Sequence, residues 1–254
     1  MAPPKGDNAD GQSKIAKLNL DPTGYVVCNT GKAVSYTHLV FALGISPFIM
    51  QSTESLLNVA FNSSLQRYGG DIAVGSMAIL ASLMQVLFLP LMGLTQGAQP
   101  IISYNFGAKK NDRVRRTFFL LLISAVTFST VLWLAAMFLP HMFTAIFTQD
   151  AALTEFTIWA MRIYLAAVFI LGAQTACQQT FIAVGKASSS LFLALLRKII
   201  LLIPLIYILP NFFENKVFGV FLAEPVADLI ATAVTITLFA IQFKKILANN
   251  SLPE

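Results

Sequence analysis

The amino-acid sequence predicts an all-α membrane protein, a bundle of six transmembrane helices. Three observations carry that reading. Charged residues make up 11% of the chain and hydrophobic ones 56%, where a soluble domain would hold about a quarter charged residues. The charges are also clustered, leaving uncharged runs over Ala33–Thr53, Ile72–Ala108, Thr117–Gln149 and Ile163–Gly185. Each run meets or exceeds the roughly 20 residues that cross a bilayer as a helix. Finally, segments such as "FFLLLISAVTFSTVLWLAAMFLP" show no alternation of polar and apolar residues. A membrane β-barrel would need that alternation, and unpaired backbone in lipid leaves helices as the other choice.

The spans read in order as Leu39–Leu65, Ile72–Ser103, Thr117–Leu139, Thr157–Val184, Ser188–Leu209 and Val217–Phe243. The fifth is interrupted by Arg197 and Lys198, so "LLIPLIYILP" carries its outer part while the two cations snorkel or face the bundle. Residues 1–37 form a polar cytoplasmic tail, residues 38–245 the six-helix lobe, and residues 246–254 a short cytoplasmic tail. "MAPPKGDNADGQSK" lacks the apolar core of a signal peptide, so the chain is expected to begin on the cytoplasmic side.

Basic residues set the orientation. Lys5, Lys14, Lys17 and Lys32 precede the first span, and Lys109, Lys110, Arg113, Arg115 and Arg116 separate the second from the third. Lys186 lies between the fourth and fifth, and Lys244 and Lys245 follow the sixth. With six spans all these segments fall on one face, which the enrichment of Lys and Arg in cytoplasmic loops identifies as the inside of the plasma (inner) membrane. Both termini are then cytoplasmic. The net charge of +5 reflects this bias and needs no nucleic acid to explain it. Cys28 and Cys177 sit in the tail and inside the fourth span, an arrangement that points to neither a disulfide nor a metal site. No H-E-x-x-H, D-D-x-x-D or G-x-S-x-G motif of a membrane enzyme occurs.

Polar residues recur on single helix faces. Gln51, Glu54, Ser55, Asn58 and Asn62 share one face of the first span, and Gln85, Gln96 and Gln99 lie near whole turns of the second. Gln174 and Gln178 are four apart in the fourth, while Glu224, Asp228, Thr232 and Thr235 line the sixth. Such stripes can serve to join helices. Four of them, with three carboxylates, also fit a wet cavity in the bundle interior. Glu54 lies near the middle of its span, where an ionised carboxylate is costly and faces a cavity, an ion or a partner such as Arg197. With the amide and hydroxyl oxygens of Gln51, Ser55 and Asn58 beside it, Glu54 can be a cation site, binding Na+ or exchanging H+. Glu224 and Asp228, flanking Pro225, have a second reading as partners of Arg197 or Lys198.

The stretch "GLTQGAQPIISYNFGAKKNDRVRRTF" resembles a signature of the multidrug and toxic compound extrusion (MATE) family of cation-coupled efflux transporters. "FALGISPFIMQSTES" is similar to the opening of that family's seventh helix. "FIAVGKASSSLFLALLRKIILLIPLIYILP" resembles its tenth and eleventh helices, and "GVFLAEPVADLI" its twelfth, so the matches run in order from Phe41 to Lys245. The resemblance implies one lobe of a twelve-helix, two-lobe transporter that exports organic cations by alternating access. It puts Glu54 on the family's acidic position in helix seven. Helix ten, acidic in some members, has no acid here, which leaves Asp228 as the second cation-coupling candidate. Gln51, Asn58, Asn62, Gln85, Gln96, Gln99, Gln174 and Gln178 would line the cavity. "IAKLNLDP" looks like the linker that follows the family's sixth helix, and the implied partner is a second six-helix lobe, a separate chain or another copy. Two alternatives remain: a truncated or accessory subunit without transport of its own, and a lipid-linked precursor flippase, which would line its cavity with basic residues.

Overall fold

A computed structural model describes residues 19–20, 26–27 and 36–250, with side chains from residue 52 onward except 187 and 249. The expected linker, most of the N-terminal tail and the side chain of Gln51 lie outside the described residues. The chain divides into two units, Met1–Phe48 and Ile49–Glu254, and every side chain discussed below belongs to the second. In the first, β1 (Asn19–Leu20) and β2 (Val26–Val27) pair antiparallel, Asn19 opposite Val27.

The remainder is helical. In order come α1 (Tyr36–Gly107), α2 (Asn111–Phe138), α3 (Pro140–Ala145), α4 (Ala151–Tyr164), α5 (Val168–Ala183), α6 (Ala187–Leu195), a π-helical stretch (Leu196–Leu202), α7 (Ile203–Ile208), a 3₁₀ turn (Leu209–Asn211) and α8 (Lys216–Asn250). Among the described residues, Ser52–Gly107, Asn111–Phe138, Ser188–Asn211 and Lys216–Ala248 are each long and apolar enough to cross a membrane, and α4 with α5, bent by 51°, has the length and composition of either a broken fifth span or a re-entrant loop. The first of these holds the C-terminal half of the expected first span and the whole of the second. Its 56 residues would rise about 84 Å, against a hydrocarbon core of about 30 Å. Gly70 divides it, at φ 65° and ψ −159°, a backbone region that in practice only glycine occupies. The expected connection between the first two spans is therefore a one-residue kink rather than a loop.

The fourth and fifth spans are also interrupted. Leu165, Ala166 and Ala167 separate α4 from α5 with no proline or glycine among them. The bend lets α5 lie closely along α2. A Cβ on Gly172 would come within 2.3 Å of the Ala125 carbonyl oxygen, and the Ser129 hydroxyl donates to the Phe169 carbonyl at 2.9 Å. In the fifth span the π stretch immediately precedes Pro204. Proline has no N–H for the carbonyl four residues back and clashes with it, so the helix widens ahead of the ring.

Two apolar clusters hold the bundle. One gathers Leu57, Phe61, Leu65, Leu80, Met161, Leu165, Ile206 and Phe221; the other gathers Ile102, Phe118, Phe181, Leu193, Phe239 and Phe243. Near the second cluster the Ser103 hydroxyl donates to the Ala183 carbonyl at 2.9 Å. The Asn111 amide donates to Leu247, and the Asn250 amide to Phe106 and Asn111, all at 2.9 Å. These bonds bring the turn after α1, the turn after α5 and the end of α8 to one end of the bundle. At the other end Lys216 and Arg67 both lie over the Tyr68 ring, at 5.3 and 5.6 Å. The basic segments around Lys109, Lys186 and Lys244 thus share an end, as the charge pattern expects. Outward faces carry exposed Leu56, Val59, Val86, Leu89, Ile123 and Phe192, the apolar surface that a lipid environment solvates at no cost.

Candidate functional site

Three carboxylates and two cations lie together on three helical segments. Glu224 and Asp228 are four residues apart on α8, one either side of Pro225, so they point the same way. Both reach Arg197: its Nε donates to Asp228 Oδ1 at 2.5 Å and its Nη2 to Glu224 Oε1 at 3.0 Å. The planar fork of a guanidinium can serve two acceptors at once without changing rotamer. This triad is buried, with the Asp228 side chain only 2% exposed. The next residue, Lys198, turns the other way, and its Nζ is hydrogen-bonded to Glu54 Oε2. Here the side chains are accessible, 49% for Glu54 and 23% for Lys198.

The π-helical stretch makes this division possible. It spans Leu196–Leu202 and so contains both cations, presenting neighbouring side chains to partners on different helices. Sequence reasoning placed Arg197 or Lys198 against Glu224 and Asp228, and Arg197 against Glu54; the structure gives Arg197 to α8 and Lys198 to α1. The Lys198–Glu54 pair was not foreseen. Its sequence signal is the adjacency of two cations six and seven residues before a proline, a setting for a π bulge, which frequently marks a functional site.

The polar stripes separate into an outer and an inner set. Glu54, Asn58 and Asn62 are exposed along α1 beside the buried Leu57, Phe61 and Leu65, which flank them at three- and four-residue spacing. This stripe therefore lies at the edge of the packed face, where Glu54 reaches Lys198, and not in the interior. Gln85 and Gln96 are also exposed and Gln99 is half-buried. Inside, Gln174 is buried and accepts from the Thr232 hydroxyl at 3.4 Å, with Thr235 buried one turn on and Gln178 half-buried. That pair acts as a cross-helix tie between α5 and α8. Among the described residues no group of three or more His, Cys, Asp or Glu side chains is placed to hold a metal ion. A cation at Glu54 would rest on one carboxylate with amide and hydroxyl oxygens beside it.

The architecture is shared with known proteins. A family model described as MatE matches residues 47–208. The multidrug export protein MepA of Staphylococcus aureus (strain N315) is 26% identical over 194 residues, covering 76% of this chain and 42% of that protein. A solved structure of the MATE multidrug transporter DinF-BH in complex with R6G is 35% identical, with a TM-score of 0.69 over 82% of this chain and 46% of the other. An inward-facing multidrug resistance MATE family transporter of the MOP superfamily superposes with a TM-score of 0.76 at 14% identity, over 90% of this chain and 53% of the other. The chain spans about half the length of the relatives it matches. With its helices matching one half of such a transporter and the family model covering most of its length, the chain belongs to the MATE family of multi-pass membrane transporters.

Proposed function

We propose that this chain is the cation-binding lobe of a multidrug efflux antiporter that exports organic cations by alternating access. The observation that carries the proposal is the half-exposed carboxylate of Glu54, set on an exposed edge of α1 with Asn58 and Asn62. A mid-span carboxylate turned to lipid is costly, by roughly 2.5–3.5 kcal/mol on insertion scales. A hydrated cleft against a second lobe removes that cost and gives cations a path to the carboxylate. The second lobe is a separate chain or another copy of this one. Na+ or H+ is the coupling ion, with Glu54 as its site. Asp228 is the lesser candidate, since it is held in the buried triad by Arg197. Gln85, Gln96 and Gln99 extend the polar lining, and the basic end faces the cytoplasm. A complex with R6G in a relative supports a drug-like cation as substrate.

The flippase reading is weaker. It needs basic groups free for phosphate, and here Arg197 and Lys198 are both engaged by carboxylates. The test is export by the assembled two-lobe transporter in proteoliposomes under an imposed Na+ or H+ gradient. Glu54→Gln is expected to abolish gradient-driven export while the protein remains folded and inserted. Full export by that variant refutes the role of Glu54. A mass measurement on the same particles decides the assembly, since export by a monomer would overturn the two-lobe requirement.

A further inference from the structure

Resting on the reading that Glu54 takes a cation, we propose that Lys198 is a tethered competitor for that carboxylate. Its ammonium holds Glu54 when no ligand is bound and passes to the Glu224–Asp228 pair when a cation arrives.

Accessibility supports the first half of this exchange. Lys198 Nζ is bound to one oxygen of Glu54, and the glutamate side chain is 49% exposed. A cation approaching along the Asn58–Asn62 face meets a carboxylate whose charge is already matched. It binds by displacing the ammonium, not by filling an empty acidic site.

Charge supports the second half. Glu224 and Asp228 set two carboxyl groups against the single guanidinium of Arg197. The triad thus holds one more acidic group than it has cations, in a buried setting. Lys198 follows Arg197 in the chain, and Arg197 binds both acids, so the released ammonium starts from the residue next to their partner. The chemistry of the two cations suits the division. The guanidinium, planar and bound to two acceptors, is the fixed member. The ammonium, a compact charge on a flexible four-carbon stem with three donors, is the one able to change partners. Occupancy at Glu54 on α1 would be reported on α8, beside Pro225, by the arrival of Lys198.

The competitor lowers apparent affinity by the fraction of time that it holds Glu54. If the pair is formed nine-tenths of the time, removing the ammonium tightens cation binding by about tenfold. The experiment uses the full chain in lipid nanodiscs and equilibrium dialysis of radiolabelled Na+, a coupling ion assigned to Glu54. Lys198→Met and Lys198→Gln are both expected to bind it about tenfold more tightly than wild type, and Lys198→Arg to stay near wild type. A gain of affinity cannot come from a damaged fold, and the two neutral variants guard against one failing to assemble. Adding Glu54→Gln to Lys198→Met should erase the gain. If Glu54→Gln weakens binding but neither neutral variant tightens it, the competitor role is overturned and the reading of Glu54 stands. If Glu54→Gln leaves Na+ binding unchanged, the reading of Glu54 as the Na+ site fails and the competitor role falls with it.

Discussion

Replacing Arg197 with methionine isolates the energetics of the buried triad. The substitution keeps an unbranched side chain but removes the group that, among the described residues, binds both Glu224 and Asp228. Their side chains are 8% and 2% exposed, so water cannot take over the lost hydrogen bonds. Breaking a buried ion pair by deleting one partner costs about 3–5 kcal/mol, because a charge is left without compensation. At about 2–4 °C per kcal/mol for a chain of this size, the unfolding midpoint should drop by about 6–20 °C. Trp159, whose ring lies 6.3 Å from that of Phe221, provides a fluorescence reporter close to the triad for a thermal scan in detergent. The decisive comparison is the triple variant Arg197→Met, Glu224→Gln, Asp228→Asn. Removing all the charges together is often close to neutral, so the triple should recover most of the lost stability. The reasoning is refuted if the single variant melts with wild type, or if the triple is as unstable as the single.

Two further outcomes follow from the packing and the charge pattern. Gly172→Val places a branched side chain where even a Cβ meets the Ala125 carbonyl oxygen at 2.3 Å and the Ser129 hydroxyl at 2.6 Å. A loss of about 1–3 kcal/mol is expected, read as a smaller monodisperse peak in fluorescence size-exclusion chromatography. Single cysteines at exposed Lys110 and at exposed Asp150 should divide by side in intact cells. An impermeant maleimide should label Asp150→Cys alone, and labelling of Lys110→Cys from outside would overturn the assigned orientation.

How far the sequence foretold this arrangement depends on what fixes each feature. The pairing of Glu224 and Asp228 with an arginine was legible because four-residue spacing puts two acids on one helix face and a buried acid needs a cation. The gathering of the Lys109, Lys186 and Lys244 segments at one end was legible from charge asymmetry and an even number of crossings. The break at Leu165–Ala167 was not, since those residues favour helix and hold no proline or glycine to mark it. Nor was the exposure of the Glu54–Asn58–Asn62 face. Periodicity tells that three residues share a face, but not whether that face meets its own bundle or another. The partner of Lys198 was hidden for a third reason: a regular helix was assumed through Leu196–Leu202.

That irregular helix has a consequence for how relatives of this chain can vary. Leu193 is buried in one apolar cluster, and Leu202 and Ile206 in the other. In an unbroken α-helix Leu193 and Leu202, nine positions apart, would face opposite ways at about 100° per residue. Here the π stretch resets the phase, so the two ends of one span are free to answer to two different cores. Losing or gaining one residue ordinarily scrambles every contact downstream in a membrane helix. Between Leu195 and Ile203 a one-residue change in length has somewhere to go, because the wide turn can absorb it. Homologous chains are therefore expected to differ in length by single residues at this point, in the middle of a span where insertions and deletions are otherwise unexpected.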